Sequence, residues 1–559
     1  MENMKKKMFR YFEEISRIPH GSGNTDGITK YLVGFAEDHG LWYRTDEANN
    51  IIMKKPASPG YENAEPIIIQ GHTDMVCEKT ADCPLDMAKD SLLLKTDGDW
   101  MYAEGTTLGG DDGIAVAMAL AILDSEAAEH PALECLFTTD EEVGMKGARV
   151  LDMSDVSAKK LINIDSEDEG LITVSCAGGA NAEVSLPVEF TEEDVCTDAC
   201  TDACTAASTD ASTAASTDAC TAASTDVCTA ASGTCSNNSG AEKAVLNIVI
   251  DGLTGGHSGI MIIKERANSN VLMGRLLSEI SKEHEISLVS IDGGKVGNVI
   301  CKKTEAKIVV CADDTDEIKS EIAGFESLIK HEFAATDPEM TITVSASGTG
   351  AASGTDAASG TDAARGTDAA RDAGAAADAI GAVGAMTAES TRRIIAWLMT
   401  APNGIQNMSA ASGSAVETSL NLGAVITEAA GAVKFIYTLR STLASRKEFL
   451  KDKLRYLAGQ LSGTASFEGD FPGWEYLSES SLRDAAVKVF VEQYGYEPEI
   501  ISIHAGLECG LFAEKIGEGF DAISIGPDLL DVHTPDERMS ISSAERTFDL
   551  LCGILKECR

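Results

Sequence analysis

The sequence predicts an α/β domain interrupted by an inserted α+β domain, and two observations carry that prediction. Over residues 1–182, and again over 473–559, short apolar runs of strand length alternate with longer helix-like stretches, as in an α/β sheet. Between them, over 183–472, the pattern becomes strand-rich segments around a few helices, broken by two repetitive tracts.

The elements follow in order. The N-terminal stretch reads as a helix. In "GSGNTDGITKYLVGFAEDHG" a second helix is expected, with Asn24, Thr25 and Asp26 as the cap region and Gly40 as the stop. "NIIMKK" and "EPIIIQGHTDMV" read as strands, "DDGIAVAMALAILDSEAAEH" as a helix, and "LECLFTTDEE" and "KLINIDSEDEG" as further strands. In the insertion, "AEVSLPVEF" and "KAVLNIVIDGL" are expected strands and "RANSNVLMGRLLSEISKEH" a helix, with more strands after it. The α/β pattern then resumes with "LRDAAVKVFVEQYG" as a helix, "EIISIHAGLECGLF" and "AISIGPDLLDVHTPDE", and a closing helix.

The two tracts lie at about 194–240 and 346–379. The first is rich in Cys, Thr, Asp and Ala, and the second repeats Gly-Thr-Asp-Ala-Ala. Both have too few large apolar side chains to offset the entropy of ordering, so both are expected to be disordered surface insertions. A metal-storage role for the first is disfavoured, because its cysteines lack the tight C-x-x-C pairs of zinc sites.

The chain has 559 residues, 15 cysteines and a formal net charge of -44. Such an acidic surface disfavours nucleic acid and anionic membranes as partners. No apolar run approaches the ~18 residues of a membrane span, and the lysine-containing start has no apolar stretch behind it to serve as a signal peptide. Six cysteines, Cys196 to Cys235, sit in the first tract, while Cys135, Cys301 and Cys311 lie in apolar runs. This pattern predicts reduced thiols in a cytoplasmic protein.

Polar residues punctuate the ends of the apolar runs. His72 and Asp74 stand two apart, which places them on one side if the strand continues, a spacing suited to a metal-binding histidine and an orienting carboxylate. A turn histidine beside a turn aspartate is the plainer reading. Asp111 and Asp112 precede an apolar helix, where an N-cap is the plainer reading. Asp140, Glu141 and Glu142 end one strand and Asp165 follows another, while His533 comes from beyond the insertion. Adjacent carboxylates repel, so a compensating charge is required. A donor set of nitrogen and oxygen without cysteine suits zinc, cobalt or manganese in a hydrolytic site. Five such ligands fit two ions if one carboxylate bridges them. One glutamate of the pair would then bind metal while its neighbour works on water.

The segments "GHTDMV", "TTLGGDDGI", "DEEVGMKGA", "LINIDSEDEG", "GGHSG", "HAGLECG" and "HTPDERMSI" together resemble the di-zinc peptidase family that holds Xaa-His dipeptidases, carnosinases, tripeptidases and acyl-amino-acid deacylases. The resemblance covers nearly the whole chain apart from the two tracts. It implies a di-zinc peptidase catalytic domain, a mixed sheet flanked by helices, in residues 1–182 and 473–559, with residues 183–472 as an inserted α+β lid domain. By resemblance, His72 and Asp165 hold one of two divalent ions, Zn2+ in the first place with Co2+ or Mn2+ as alternatives. Glu142 and His533 hold the other, and Asp111 bridges them. Asp74 orients His72, and Glu141 is the general base on a metal-bridging water and then the proton donor to the leaving amine. In the lid, His257 stabilises the oxyanion, Arg440 clamps the substrate's free C-terminal carboxylate, and Asn268 is a further substrate contact. His504 and Glu508 match a family motif without an assigned step. In smaller relatives the lid histidine serves the active site of a partner subunit, so a homodimer is one expectation. The size of this lid also permits action in cis.

The implied activity is metal-dependent hydrolysis of unblocked dipeptides, including Xaa-His. A deacylase of N-acyl amino acids would share every metal residue and differ in how the substrate's N-terminus is held; "HAGLECG" and "HTPDERMSI" favour the dipeptidase branch. A third reading, an inactive acidic binding protein with its tracts as arms, is disfavoured by the intact Glu141 and ligand set.

Overall fold

In the computed structural model, the described residues are 2–191, 242–347, 384–410 and 415–559. The first repetitive tract lies outside them, as does the second from residue 348 on. The two residues before that point, Ala346 and Ser347, differ from the expectation. They close the strand Thr341–Ser347, pairing with Leu246 and Val245 of its neighbour, because the partner strand extends far enough to accept them.

The first sheet is mixed and has eight strands. Their spatial order is Trp42–Thr45, Ile51–Lys55, Leu133–Thr138, Ile67–His72, Lys160–Asn163, Asp521–Ser524, Leu171–Cys176 and Glu499–Ile503. Leu133–Thr138, Ile67–His72, Lys160–Asn163 and Asp521–Ser524 run parallel to one another. The first, second and fourth of these are buried along their whole length, as strands covered on both faces must be. One face is covered by the helices Glu2–Ser16, Gly110–Leu123, Ser481–Tyr494 and Ile541–Glu557. Gly110–Leu123 is apolar all round and buried at every position except Asp111, as expected of a central helix. The other face carries the helices Lys146–Val150 and Cys509–Ile516 with Trp474 between.

The second sheet is antiparallel and takes its strands from 178–471. Its core packs against the helices Ser269–Ile280, Thr315–Glu332, Ala388–Thr400 and Ala444–Gln460. The chain leaves the first sheet at Cys176 and enters the second at Gly178. Where it returns, Trp474 and Cys176 exchange two backbone hydrogen bonds of 3.0 Å, so the two crossings are pinned side by side. A small sheet, Leu529–Leu530, Arg538–Ser540, Trp100–Ala103 and Leu94–Asp97 in that order, joins the segment before Asp111 to the segment around His533. Among the described residues, no helix is long and apolar enough to cross a membrane.

Candidate active site

Parallel neighbours present their C-terminal ends at one edge of a sheet, where open α/β folds place their sites. Ile67–His72 ends at His72. The turn after Leu133–Thr138 carries Glu141 and Glu142, and Asp165 follows Lys160–Asn163 by two residues. Asp111 and Asp112 head the central helix on non-helical backbone, after Gly109 in the left-handed region. The N-cap reading of these aspartates therefore gives way: Gly109 is the cap residue and makes no side-chain cap. Asp112 instead accepts the backbone N–H of His72 at 3.1 Å. Gly71 makes this approach possible, since a Cβ there would lie 2.6 Å from Asp112 Oδ2 and from Ala115 Cβ. His533 sits at positive φ between the strands Leu529–Leu530 and Arg538–Ser540.

These side chains meet. His72 Nε2 lies 2.9 Å from Asp111 Oδ1 and 3.7 Å from Asp165 Oδ1. His533 Nε2 lies 3.2 Å from Asp111 Oδ2 and 2.9 Å from Glu142 Oε1. Each oxygen of Asp111 thus faces a different histidine. The donor atoms of His72, Asp111 and Asp165, and those of Asp111, Glu142 and His533, form two groups within each of which every atom lies within 4.8 Å of the others. Asp74 meets His72 mainly through its backbone: His72 Nδ1 is 2.9 Å from the Asp74 carbonyl oxygen and 3.5 Å from Oδ1. The Asp74 carboxylate accepts the backbone N–H of Glu141 at 3.0 Å and the Ser22 hydroxyl at 2.8 Å. One buried aspartate therefore connects a ligand candidate, the base candidate and the N-terminal segment.

Crowding of carboxylates sets the electrostatics. Burial pushes the Glu141 carboxyl well above the usual carboxylate range, and the charges of Asp165, Glu508 and Glu142 push the same way against His72. Asp165 is raised to about 6 by burial, with Asp111 and Glu142 adding to it. Hydrogen bonds to Asp111 and Glu142 raise His533 to about 11. Burial opposes protonation of His72, but Asp111, Asp165 and Asp74 outweigh it. A cluster that draws protons onto its histidines and carboxyls is one that positive charge would stabilise.

Beneath it, Glu508 is fully buried and accepts from Gln70 Nε2 at 2.5 Å and Thr138 Oγ1 at 2.6 Å. Gln70 precedes His72 by two residues, and Thr138 precedes Glu141 by three.

The insertion contributes a second cluster. His257 Nε2 lies 3.3 Å from Arg440 Nη2. Arg440 is 8% exposed, and its Nε is buried without a hydrogen-bond partner. Burial and Arg440 hold the His257 imidazole below its ordinary pKa. His504, at the end of Glu499–Ile503 in the first sheet, is hydrogen-bonded to Ser419 Oγ of the second sheet at 2.7 Å. Burial lowers it to about 3, with Arg440 contributing. His504 and Glu508 thus tie the second cluster to the floor of the first across five residues, a span of at most ~14 Å. Asn268, expected as a substrate contact, is engaged within the fold. It is buried as the N-cap of Ser269–Ile280, accepting from Asn270 N–H at 3.0 Å and donating to the Leu422 carbonyl at 2.9 Å and Asn421 Oδ1 at 3.2 Å. Its amide is used within the fold because the helix begins there.

Several residues of this site went unmarked in the sequence. Ser22 lies in a Gly-rich stretch that reads only as a turn, and Gln70 is hidden inside an apolar strand. Glu537 accepts three backbone amides ahead of Asp111. Its only outward sign is its place in the same short motif as His533.

Residues 68–557 match peptidase family M20/M25/M40. The chain is 32% identical over 547 residues to the cytosol non-specific dipeptidase of Escherichia coli (strain K12), covering 98% of this chain and 96% of that protein. The crystal structure of aminoacylhistidine dipeptidase from Vibrio alginolyticus is similar to it with a TM-score of 0.79 at 28% identity, covering 98% of this chain and 96% of that one.

Proposed function

The chain belongs to peptidase family M20/M25/M40, and within it we propose a cytoplasmic, metal-dependent dipeptidase acting on unblocked dipeptides, Xaa-His among them. The near full-length similarity to a cytosol non-specific dipeptidase supports the substrate class. Nine free cysteines among the described residues agree with a reducing compartment.

The observation that carries the reading is the geometry of Asp111, whose two oxygens face His72 and His533 separately. The nitrogen and oxygen donors fit two divalent ions, zinc before cobalt or manganese. His72 and Asp165 would hold one, Glu142 and His533 the other, and Asp111 both. Ions bound there would polarise the scissile carbonyl and render water acidic enough to react at neutral pH.

The protein's own residues supply the rest. Glu141, raised by burial, takes the proton of the attacking water and delivers it to the leaving amine. Asp74 fixes both the Glu141 backbone and the His72 ring. His257, beside Arg440, is the lid residue that stabilises the developing oxyanion, and Arg440 engages the substrate's C-terminal carboxylate in a paired hydrogen bond.

The test is hydrolysis of β-Ala-His, Gly-His, Leu-Gly and N-acetyl-Leu, each with added zinc and with chelator. Chelator-sensitive cleavage of the free dipeptides, with N-acetyl-Leu untouched, is expected. Cleavage of N-acetyl-Leu alone would move the protein to deacylation, and no turnover despite bound metal would refute the reading.

A further inference from the structure

Three consecutive backbone amides, those of Leu108, Gly109 and Gly110, converge on one carboxylate. Glu537 Oε2 accepts from Leu108 at 2.9 Å and Gly109 at 3.3 Å, and Oε1 accepts from Gly110 at 2.8 Å. The Glu537 residue is 2% exposed. A buried acid is costly unless its lone pairs are used, and successive amides curled around an anion are an efficient way to use them. The curl depends on glycine. Gly109 has φ +69°, and a Cβ on Gly110 would lie 2.9 Å from Leu529 Cδ2 and 3.3 Å from Glu537 Oε1.

The two ends of this contact matter more than the contact alone. Gly110 leads directly into Asp111. Glu537 follows His533 by four residues, and its backbone N–H donates to the Thr534 carbonyl at 3.1 Å, closing the turn that carries His533. Immediately beyond it, Arg538–Ser540 pairs with Trp100–Ala103. Segments more than 400 residues apart in sequence are thereby joined, the one leading into Asp111 to the one carrying His533.

We propose that Glu537 is a positioning residue that, by gathering the amides of 108–110, sets the Asp111 carboxylate between His72 and His533. This rests on the reading of Asp111 as the shared ligand. Glutamine at 537 keeps one acceptor oxygen and turns an NH2 group towards amides that need an acceptor. Aspartate keeps the charge but draws it back by one methylene.

The test starts from chelated, full-length protein. Hydrogen exchange of the segment spanning 108–110 is measured by mass spectrometry, and zinc is then titrated to obtain stoichiometry and affinity. Last, kcat and KM are measured on Gly-His. In wild type, slow exchange without metal is expected. In Glu537→Gln, exchange in that segment should rise at least tenfold, affinity for at least one zinc ion should fall at least tenfold, and kcat should fall at least tenfold with KM within about threefold. Glu537→Asp should recover part of each loss. Rapid exchange in wild type overturns the proposal, as do wild-type zinc affinity and kcat in a folded Glu537→Gln. If the glutamine variant does not fold, the wild-type exchange and the aspartate variant decide in the same way. Wild type that binds fewer than two zinc ions would overturn the two-ion reading together with this assignment. An unchanged variant overturns the assignment alone.

Discussion

His504 makes the acid side of this protein's stability predictable. It is 8% exposed, hydrogen-bonded to Ser419 across the two sheets, and held by burial at about 3 against an ordinary 6.5. The unfolded chain takes up a proton here as pH falls through 6.5, whereas the folded state does not until about 3. The unfolded state then binds more protons, so stability falls with pH in this window. Between pH 7.5 and 5.5 the uptake by the unfolded side chain corresponds to a tenfold change, or about 1.4 kcal/mol. His504→Gln keeps a polar partner for Ser419 and removes the titration. Urea unfolding of metal-free wild type and variant at both pH values isolates the effect, because every other titrating group is common to the two proteins. Wild type should lose about 1.4 kcal/mol more than the variant on acidification. Equal losses would show that His504 protonates in the folded state or is hydrated there, and the linkage argument would fail.

Three further outcomes are expected. Glu141→Gln should lower kcat on Gly-His by ~10²–10⁴ while metal content, measured by elemental analysis, is unchanged; loss of metal instead would make Glu141 a ligand. Arg440→Lys should raise KM for dipeptides by ~10–100-fold, since a point charge replaces a paired fork. Hydrolysis of the corresponding dipeptide amides should be little affected, and equal effects on both substrate types would refute the carboxylate contact. Gly259→Ala would bring a Cβ to 2.5 Å from the His504 carbonyl oxygen, 3.0 Å from His257 Cε1 and 3.1 Å from Arg440 Nε. Overpacking of this kind costs about 1–3 kcal/mol, so calorimetry should show destabilisation and kinetics a fall in kcat/KM with zinc stoichiometry intact. Wild-type stability and kinetics would mean that this junction yields freely.

The candidate ligands could be picked out in the sequence for a definite physical reason. An apolar run covered on both faces must end where polar groups are tolerated, so "GHTD", "TTDEE" and "INID" mark strand ends by residue type alone. What periodicity does not encode is adjacency. His72, Glu142 and Asp165 share an edge only because their strands are parallel neighbours, and nothing local in the three segments states that order. The same limit explains Ser22 and Glu537, whose partners lie 52 and 427–429 residues away. Asn268 shows a competing local demand. A polar residue before an apolar helix is drawn to the helix's own unpaired amides, and Asn268 caps one of them.

Asp111 and Asp112 show how finely these competing demands are resolved. Both stand where a helix could use a cap, and neither serves as one. Gly109, left-handed, turns the chain without a side chain, and Glu537 accepts the amides of Leu108, Gly109 and Gly110 in the turn ahead of both aspartates. Asp112 holds the His72 backbone, and Asp111 faces both histidines. A carboxylate committed to its own helix could not also stand between two others. The acid supplied from the far end of the chain holds the amides of the turn that leads into Asp111, and each oxygen of Asp111 faces a different histidine.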